Sequence, residues 1–346
     1  MTNESNTMQP IFEIDSNRKT PKYLQIVHSV TKSIKLGKLK KGDRLLSINE
    51  VSNEFFLARD TVQKAYNILE EDGILLPVKG KGFYINRTDI TTRFRVLLVF
   101  NKISNYKKQV YNSFMNSMGN KASVDLKIYH GDSRLFEDII RSYINDYDYF
   151  VIMPHFYENR EEAIKLIRQI PRERLILLDK DIEYLPGNYS AVYQDFVNDI
   201  ISALEEGRHL LKKYKRLVLA YPKCPQYPEE IVTGFRAFCM QNNFRFTLIN
   251  EITAQTEIQA DDAYIVIEET DLVELIKKCQ SMGLQPGKEV GIISYNDTPL
   301  KEILLDGITV ISTDHAKMGE MAARLILENK KEKIRNPFSL IIRKSL

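Results

Sequence analysis

The 346-residue chain has no tryptophan, three cysteines and five histidines, and each shortage excludes something. Cys224, Cys239 and Cys279 are widely spaced, odd in number and contain no Cys-x-x-Cys pair. Neither a disulfide framework nor a zinc ribbon is expected, and the usage fits a reducing cytoplasm. His28, His130, His155, His209 and His315 are scattered without a His-Glu-x-x-His motif, so no metal site is expected. No apolar run approaches the roughly 20 residues that span a bilayer. The N-terminal stretch MTNESNTMQPIFEI lacks the basic flank and apolar core of a secretory signal, so no membrane partner is expected. There is no Gly-x-Gly-x-x-Gly or Walker sequence, and no cofactor is expected. Without tryptophan, ring stacking falls to 18 tyrosines and 16 phenylalanines.

What is present is a globular composition, 43% hydrophobic and 27% charged, with a length suited to two or three domains. The net charge of +3 hides an asymmetry. Residues 1–86 carry 13 Lys/Arg against 10 Asp/Glu, while the other 260 carry 36 of each. The basic excess therefore sits in the first quarter, where a polyanion would bind.

That quarter has a periodic order. Tyr23, Val27, Val30 and Ile34 mark one face of a helix over 21–35. Gly37 and Gly42-Asp43 punctuate a turn, and Ser47-Ile48-Asn49-Glu50 is a capping box opening a short second helix with Val51 and Phe55 on one face. After a break at Phe56-Leu57-Ala58, a third helix carries Val62, Ala65, Tyr66 and Leu69 inward and ends at Asp72-Gly73. Residues 74–78 and 83–85 read as strands joined by Lys79-Gly80-Lys81-Gly82. This order is that of a winged helix-turn-helix, whose third helix enters the DNA major groove. A three-helix unit with a charged face can also be a protein-interaction module; the basic, glycine-rich wing favours DNA. Arg59, Thr61, Gln63 and Lys64 lie on the polar face of the third helix. Arg suits guanine, Gln suits adenine, and Thr and Lys suit phosphate. Lys79, Gly80 and Lys81 form a wing that can approach the backbone closely.

Pro21-x-Tyr23-x-Gln25-Ile26, Gly37-x-Leu39-x-x-Gly42-Asp43-x-Leu45-x-Ser47, Ala58-Arg59-x-Thr61-Val62 and Gly80-x-Gly82-x-Tyr84-Ile85 resemble, in order and spacing, the GntR-type winged-helix repressors over residues 11–86. The resemblance implies DNA contact by Ser47, Arg59, Thr61 and Gly80. The chain departs from the family pattern at Leu46, Asn49, Ala58 and Gln63, where Pro, Arg, Ser and Arg are usual.

Residues 87–93 have no apolar period and read as a linker. From residue 94 apolar strands alternate with helices, at 95–100, 124–129, 149–153, 174–178, 216–220, 244–249, 263–267 and 289–293. With one long helical run over 193–214 in the middle, the pattern implies two similar parallel sheets covered on both faces. Ligands bind at the carboxyl ends of such strands. Those ends carry Asn101 and Lys102, His155, Asp179, Tyr221, Glu268 and Asn296, a set of carboxylates, amides and rings suited to a hydroxyl-rich ligand.

Ile308-Thr309-Val310-Ile311-Ser312-Thr313-Asp314, then Met318-Gly319-x-x-Ala322-Ala323, following Tyr295-Asn296-Asp297, resemble the C-terminal signature of lactose-repressor-type effector domains. Gly234-Phe235 and Val192-x-x-Asp195 fit the same pattern. The resemblance implies an α/β bilobed periplasmic-binding-protein-like (type I) domain over 94–346 with a sugar between its lobes. It places lobe one at about 94–192 plus 314–332 and lobe two at about 193–313 plus 333–346. Asp179, Glu268 and Asn296 then fall at sugar-contacting positions, with Asn101 and Asp195 beside them. Glu230-Ile231 stand where that family has its ligand-binding arginine. A GntR-type winged helix joined to such a sensor is similar to the arabinose-repressor type of regulator. The expectation is a cytoplasmic homodimer that represses carbohydrate-utilisation genes from a near-palindromic double-stranded operator, with a monosaccharide or sugar derivative as effector. Two alternatives stand beside it: the same regulator with a nucleoside or small-peptide effector, and an enzyme using Asp179, Asp181, Glu268 and Glu269 as acid and base.

Overall fold

The computed structural model describes residues 11–15, 20–35, 37–89, 93–223 and 227–346. Cys224 and the linker positions 90–92 lie outside them. The chain divides into two compact units. The first takes in the described residues up to Arg95 together with Asn120–Ser123 and Ile139–Tyr147, and the second takes in the rest.

In the N-terminal region α1 (Lys22–Lys35), α2 (Ile48–Glu54) and α3 (Arg59–Glu71) precede a hairpin of β2 (Leu75–Val78) and β3 (Gly82–Ile85). A two-residue strand, β1 (Arg44–Leu45), pairs antiparallel with β3 and makes a three-stranded sheet in the order β1-β3-β2. The apolar face expected of α3 is the face that is buried: Val62, Ala65, Tyr66 and Leu69 have no solvent exposure and pack with Ile26, Val30, Val51 and Leu75. The buried Tyr66 hydroxyl donates to Leu46 O at 2.5 Å, so its polar end is satisfied inside the core. Burying these side chains stabilises by about 1.5–3 kcal/mol each for the larger ones. The Ser47–Glu50 capping box is formed in both directions and starts α2.

The remainder is built on two six-stranded sheets. The first has the order β14-β8-β7-β6-β4-β5, with β4 (Phe94–Phe100), β5 (Ala122–Ile128), β6 (Tyr149–Ile152), β7 (Leu175–Asp179), β8 (Ser190–Tyr193) and β14 (Lys333–Arg335). Its helices are α4 (Asn105–Met118), α5 (Ser133–Tyr143), α6 (Arg160–Ile167) and α12 (His315–Leu327). The second sheet has the order β10-β9-β11-β12-β13-β15, with β9 (Arg216–Ala220), β10 (Arg245–Ile249), β11 (Asp262–Val266), β12 (Gly291–Tyr295), β13 (Thr309–Thr313) and β15 (Phe338–Ile341). It carries α7 (Phe196–Glu206), α8 (Arg208–Leu211), α9 (Glu230–Gln241), α10 (Glu269–Met282) and α11 (Pro299–Ile303). The central strands of both sheets pair in parallel, and β15 closes the second sheet antiparallel to β13. No helix among the described residues is long and apolar enough to cross a membrane.

Three details differ from the sequence reading. The helical run expected over 193–214 begins at Phe196 and is broken at Gly207. Residues 333–335, expected in lobe two, form the edge strand of the first sheet beside β8. The strands β8, β13, β14 and β15 add to the eight expected. Residues 318–323 of the signature have a packing reason: a Cβ on Gly319 would stand 2.2 Å from Val110 O, so only glycine lets α12 lie this close to α4.

The chain passes between the sheets three times, at 193–196, 313–315 and 335–338. Asn336, almost fully buried, ties the passages together. Its backbone N donates to Tyr193 O at 2.7 Å, and its amide Nδ2 donates to Thr313 Oγ1 at 2.7 Å and Asp314 O at 2.9 Å. Beside it Arg335 of the first sheet pairs with the buried Asp199 of α7 at 2.5 Å. These contacts form the hinge of the two-lobed body.

Candidate DNA-contact surface and effector cleft

Arg59 opens α3, and it, Gln63 and Lys64 are exposed while Thr61 is half-buried. Ala58 at the N-cap supplies no side-chain acceptor, so the first-turn N–H groups of α3 face outward toward any phosphate. Gln63 donates to Asn67 Oδ1 at 2.8 Å. The Lys64 ammonium lies 4.0 Å from the centre of the Tyr23 ring, a cation–π contact that turns it back toward α1. Ser47 accepts from Glu50 N at 3.2 Å, which leaves its hydroxyl hydrogen for an outside acceptor. Lys79, Gly80 and Lys81 are exposed at the wing tip. Gly80 has φ +74° with open space around its missing Cβ, so both turn geometry and backbone access favour glycine there. Arg44 is exposed on β1, within 3.5 Å of where a Cβ on Gly82 would stand, at a two-residue strand that has no period to detect in the sequence.

Between the lobes lies a small, half-open cleft lined by residues of both. Of the effector candidates, Asn101, Lys102, His155, Asp179 and Asn296 line it. Asp195, Tyr221 and Glu268 do not line it. Asp195 caps α7 through Asn198, the Tyr221 hydroxyl donates to Tyr227 O, and Glu268 is the N-cap position of α10. Tyr106, Lys107, Gln194, Phe196, Tyr227, Pro228, Tyr295 and His315 complete the lining. Four of these, Tyr106, Lys107, Phe196 and His315, lie in the first turns of α4, α7 and α12. Reading only to the strand ends stops one turn short of them. Lys107 carried a signal, as the polar head of the stripe Lys107, Val110, Phe114 and Met118, all buried.

Asp179 ends β7 in the first sheet and Asn296 follows β12 in the second, so the cleft takes one from each lobe. Both adopt left-handed backbone, φ +71° and +59°, a conformation that Asp and Asn tolerate and that recurs at functional sites. Lys301 holds the Asn296 turn, its ammonium donating to Tyr295 O at 2.9 Å and Asn296 O at 2.7 Å.

Asp179 accepts from His155 Nε2 at 2.7 Å and from the Gln194 amide. Burial would raise the carboxyl, but the His155 contact, the Lys107 charge and Gln194 outweigh it and hold Asp179 well below the usual carboxylate range. Burial pushes His155 down, and His315 down to about 4, so both rings are neutral at pH 7. His155 is then the N–H donor of its pair with an ionised Asp179. Burial lifts the Tyr106 hydroxyl to about 12 and that of Tyr295 well above its ordinary value, so both remain protonated donors. At the mouth Lys180 after β7 pairs with Glu230 of α9 at 2.7 Å, joining the two lobes.

The four acidic residues of the enzyme alternative are not assembled. Only Asp179 lines the cleft, and Asp181 is held by Lys333 at 2.8 Å and by the Tyr189 hydroxyl.

A winged helix with an open recognition helix, on one chain with a two-lobed α/β body around a polar cleft, is the build of a ligand-sensing DNA-binding transcription regulator. Residues 22–85 match the family described as bacterial regulatory proteins, gntR family, and residues 208–346 match a periplasmic binding protein-like domain. The chain is 32% identical over 120 residues to the HTH-type transcriptional repressor YtrA of Bacillus subtilis, covering 35% of this chain and 87% of that protein. It is 34% identical over 67 residues to the arabinose metabolism transcriptional repressor of Geobacillus stearothermophilus, covering 19% and 18%. Among solved structures, the lac repressor dimer bound to operator and the anti-inducer ONPF superposes with a TM-score of 0.60 at 14% identity, over 73% of this chain and 94% of that one. The chain belongs to the gntR family of bacterial regulatory proteins and carries a periplasmic-binding-protein-like domain behind its winged helix.

Proposed function

We propose that this regulator is a cytoplasmic homodimeric repressor of carbohydrate-utilisation genes, without enzymatic activity, whose operator affinity is set by a monosaccharide or sugar derivative held in the cleft. The observation that carries the sugar reading is the lining: Asn101, Asp179, Gln194 and Asn296 offer planar donors and acceptors, and Tyr106, Phe196, Tyr227 and Tyr295 offer ring faces. That pairing suits hydroxyls around an apolar ring face. The name of the arabinose repressor relative points the same way. Arg59 and Gln63 are the base-reading residues, with Ser47, Thr61, Lys64, Lys79, Gly80 and Lys81 at the phosphates. A two-fold dimer presents two such helices and so reads a near-palindromic site. Effector acts by preferring one lobe angle about the Asn336 hinge, which changes the spacing of the two winged helices in the dimer.

The test is a thermal-shift screen of the full chain against neutral and charged monosaccharides, nucleosides and short peptides. A ligand at 100 times its Kd stabilises by about 2.7 kcal/mol. Stabilisation by one sugar supports the reading. Stabilisation by nucleosides or short peptides alone would reassign the effector.

A further inference from the structure

Lys107 is 4% exposed and lines the cleft, and one of its three ammonium hydrogens goes to Asn101 Oδ1. The other two meet no hydrogen-bond acceptor among the described residues. Lys102 adds a second lining cation, its ammonium 5.4 Å from the centre of the Tyr227 ring. Against these two the lining holds a single carboxylate, Asp179, already engaged by His155 and Gln194. The two lining histidines are neutral at pH 7 and add no charge. Outside the lining, Asp195 caps α7, Asp314 caps α12 through Lys317 N at 2.8 Å, Glu230 pairs with Lys180, and the Glu268 charge acts on Tyr106.

Helix ends add to the excess. Tyr106 and Lys107 lie in the first turn of the 14-residue α4, whose N-cap is the uncharged Ser104, and Tyr227 and Pro228 lead into α9, which has no side-chain cap. N-terminal helix ends favour negative charge. An acceptor also waits in the cleft: Gln194, 9% exposed, presents a buried Oε1 with no hydrogen-bond partner. A buried ammonium with spare donors asks for an anionic oxygen, and an orphan amide oxygen asks for a hydroxyl.

We propose that the effector is an anionic sugar derivative, its carboxylate or phosphate held by Lys107 with Lys102 at the rim and one of its hydroxyls donating to Gln194 Oε1. This rests on the sugar-sensor reading above and narrows it.

Calorimetric titration of the full chain tests it with matched sets built on glucose, galactose, arabinose and xylose. Each set contains the neutral sugar, its carboxylate form (the uronate or aldonate) and its phosphate. At least one anionic member should bind tenfold or more tightly than its neutral parent, and its affinity should fall as sodium chloride is raised. Tighter binding by the carboxylate or by the phosphate identifies the source of the charge. Lys107→Met should cut the affinity for that anion by tenfold or more and that for the neutral parent by less than threefold. Gln194→Leu should weaken both members of the pair, since it removes a hydroxyl partner common to them. Should Lys107→Met lose its fold, Lys102→Gln gives the same comparison, with a smaller loss confined to the anion. A neutral sugar that binds more tightly than all its charged derivatives would overturn the inference and leave the sensor reading intact. So would an anion whose affinity is unchanged in both lysine variants. If no sugar of either kind binds, the sensor reading fails and the inference falls with it.

Discussion

Lys107 also has a stability consequence that needs no ligand. Burial pushes its ammonium from 10.5 down to about 8, with the Asp179 charge opposing and Lys102 adding to the shift. A difference of about 2.5 pH units at about 1.36 kcal/mol each means that the charged side chain costs the folded state about 3 kcal/mol at pH 7. Lys107→Met keeps the length and apolar stem and removes the charge. It strands Asn101 Oδ1, itself buried, at a cost of about 1–2 kcal/mol. The net expectation is a gain of about 1–2 kcal/mol at pH 7, or roughly 2–8 °C in the transition of the unit that carries α4. The sign reverses the usual case of a lysine that gains a partner. Between pH 8 and 10.5 the unfolded chain holds more protons than the folded one, so raising the pH stabilises the wild type through this group. Its cost should fall to about 1 kcal/mol by pH 9.5, which erases most of the variant's advantage. Scanning calorimetry of both proteins at pH 7.0 and 9.5 is the assay. A variant less stable than wild type at pH 7, or a difference that does not change with pH, would refute the reasoning.

Other perturbations have equally definite outcomes. Arg59→Ala should lose discrimination at one base pair per half-site, about 1–3 kcal/mol, in binding measured across a mutated operator series. Lys81→Ala should weaken all duplexes alike and lower the salt slope by about one phosphate's worth, read from affinities at several salt concentrations. Asp179→Ala and Asn296→Ala should each lose about 1–3 kcal/mol of effector affinity, roughly 5- to 150-fold, by titration calorimetry; unchanged values in both would move the site out of the cleft. Asn336→Ala removes the amide donors that join the lobe passages. It should lower unfolding free energy by about 1–3 kcal/mol in urea denaturation and broaden the lobe-angle distribution seen by small-angle scattering.

The N-terminal region was legible because its signals are local. The apolar period of α3, the Ser47–Glu50 box and the Gly80 turn each involve residues within one or two turns of chain, and each formed as read. The central strands were legible for a related reason: strands buried on both faces, such as 95–100 and 216–220, are continuous apolar runs. The edge strands β14 and β15 give no such run, although the edge strands β5 and β10 are legible and the short interior strands β8 and β13 are not. Lys333–Arg335 is polar and three residues long, and its place is fixed by pairing with β8, more than 130 residues away. The cleft divides in the same manner. Strand ends point to Asn101, Asp179 and Asn296, because a parallel sheet gathers them at one edge. They also point to Tyr221, whose hydroxyl the local loop turns to Tyr227 O, and to Glu268, which stands at the start of α10 outside the lining. Gln194 was hidden because it follows β8, a strand of four residues. Lys107 and His315 sit in the first turns of helices, and only the packing of α4 against α12 brings both to the cleft.

One chain is expected to join operator binding to an effector in the cleft. The direct measurement is the affinity of the full chain for a near-palindromic duplex selected from a random pool, followed by fluorescence anisotropy as the sugar identified by thermal shift is titrated in. The expected result is a saturable change of about 5- to 150-fold, a coupling of about 1–3 kcal/mol, that disappears in Asp179→Ala. An affinity that stays constant up to saturating sugar, or a chain that selects no duplex from the pool, would contradict it.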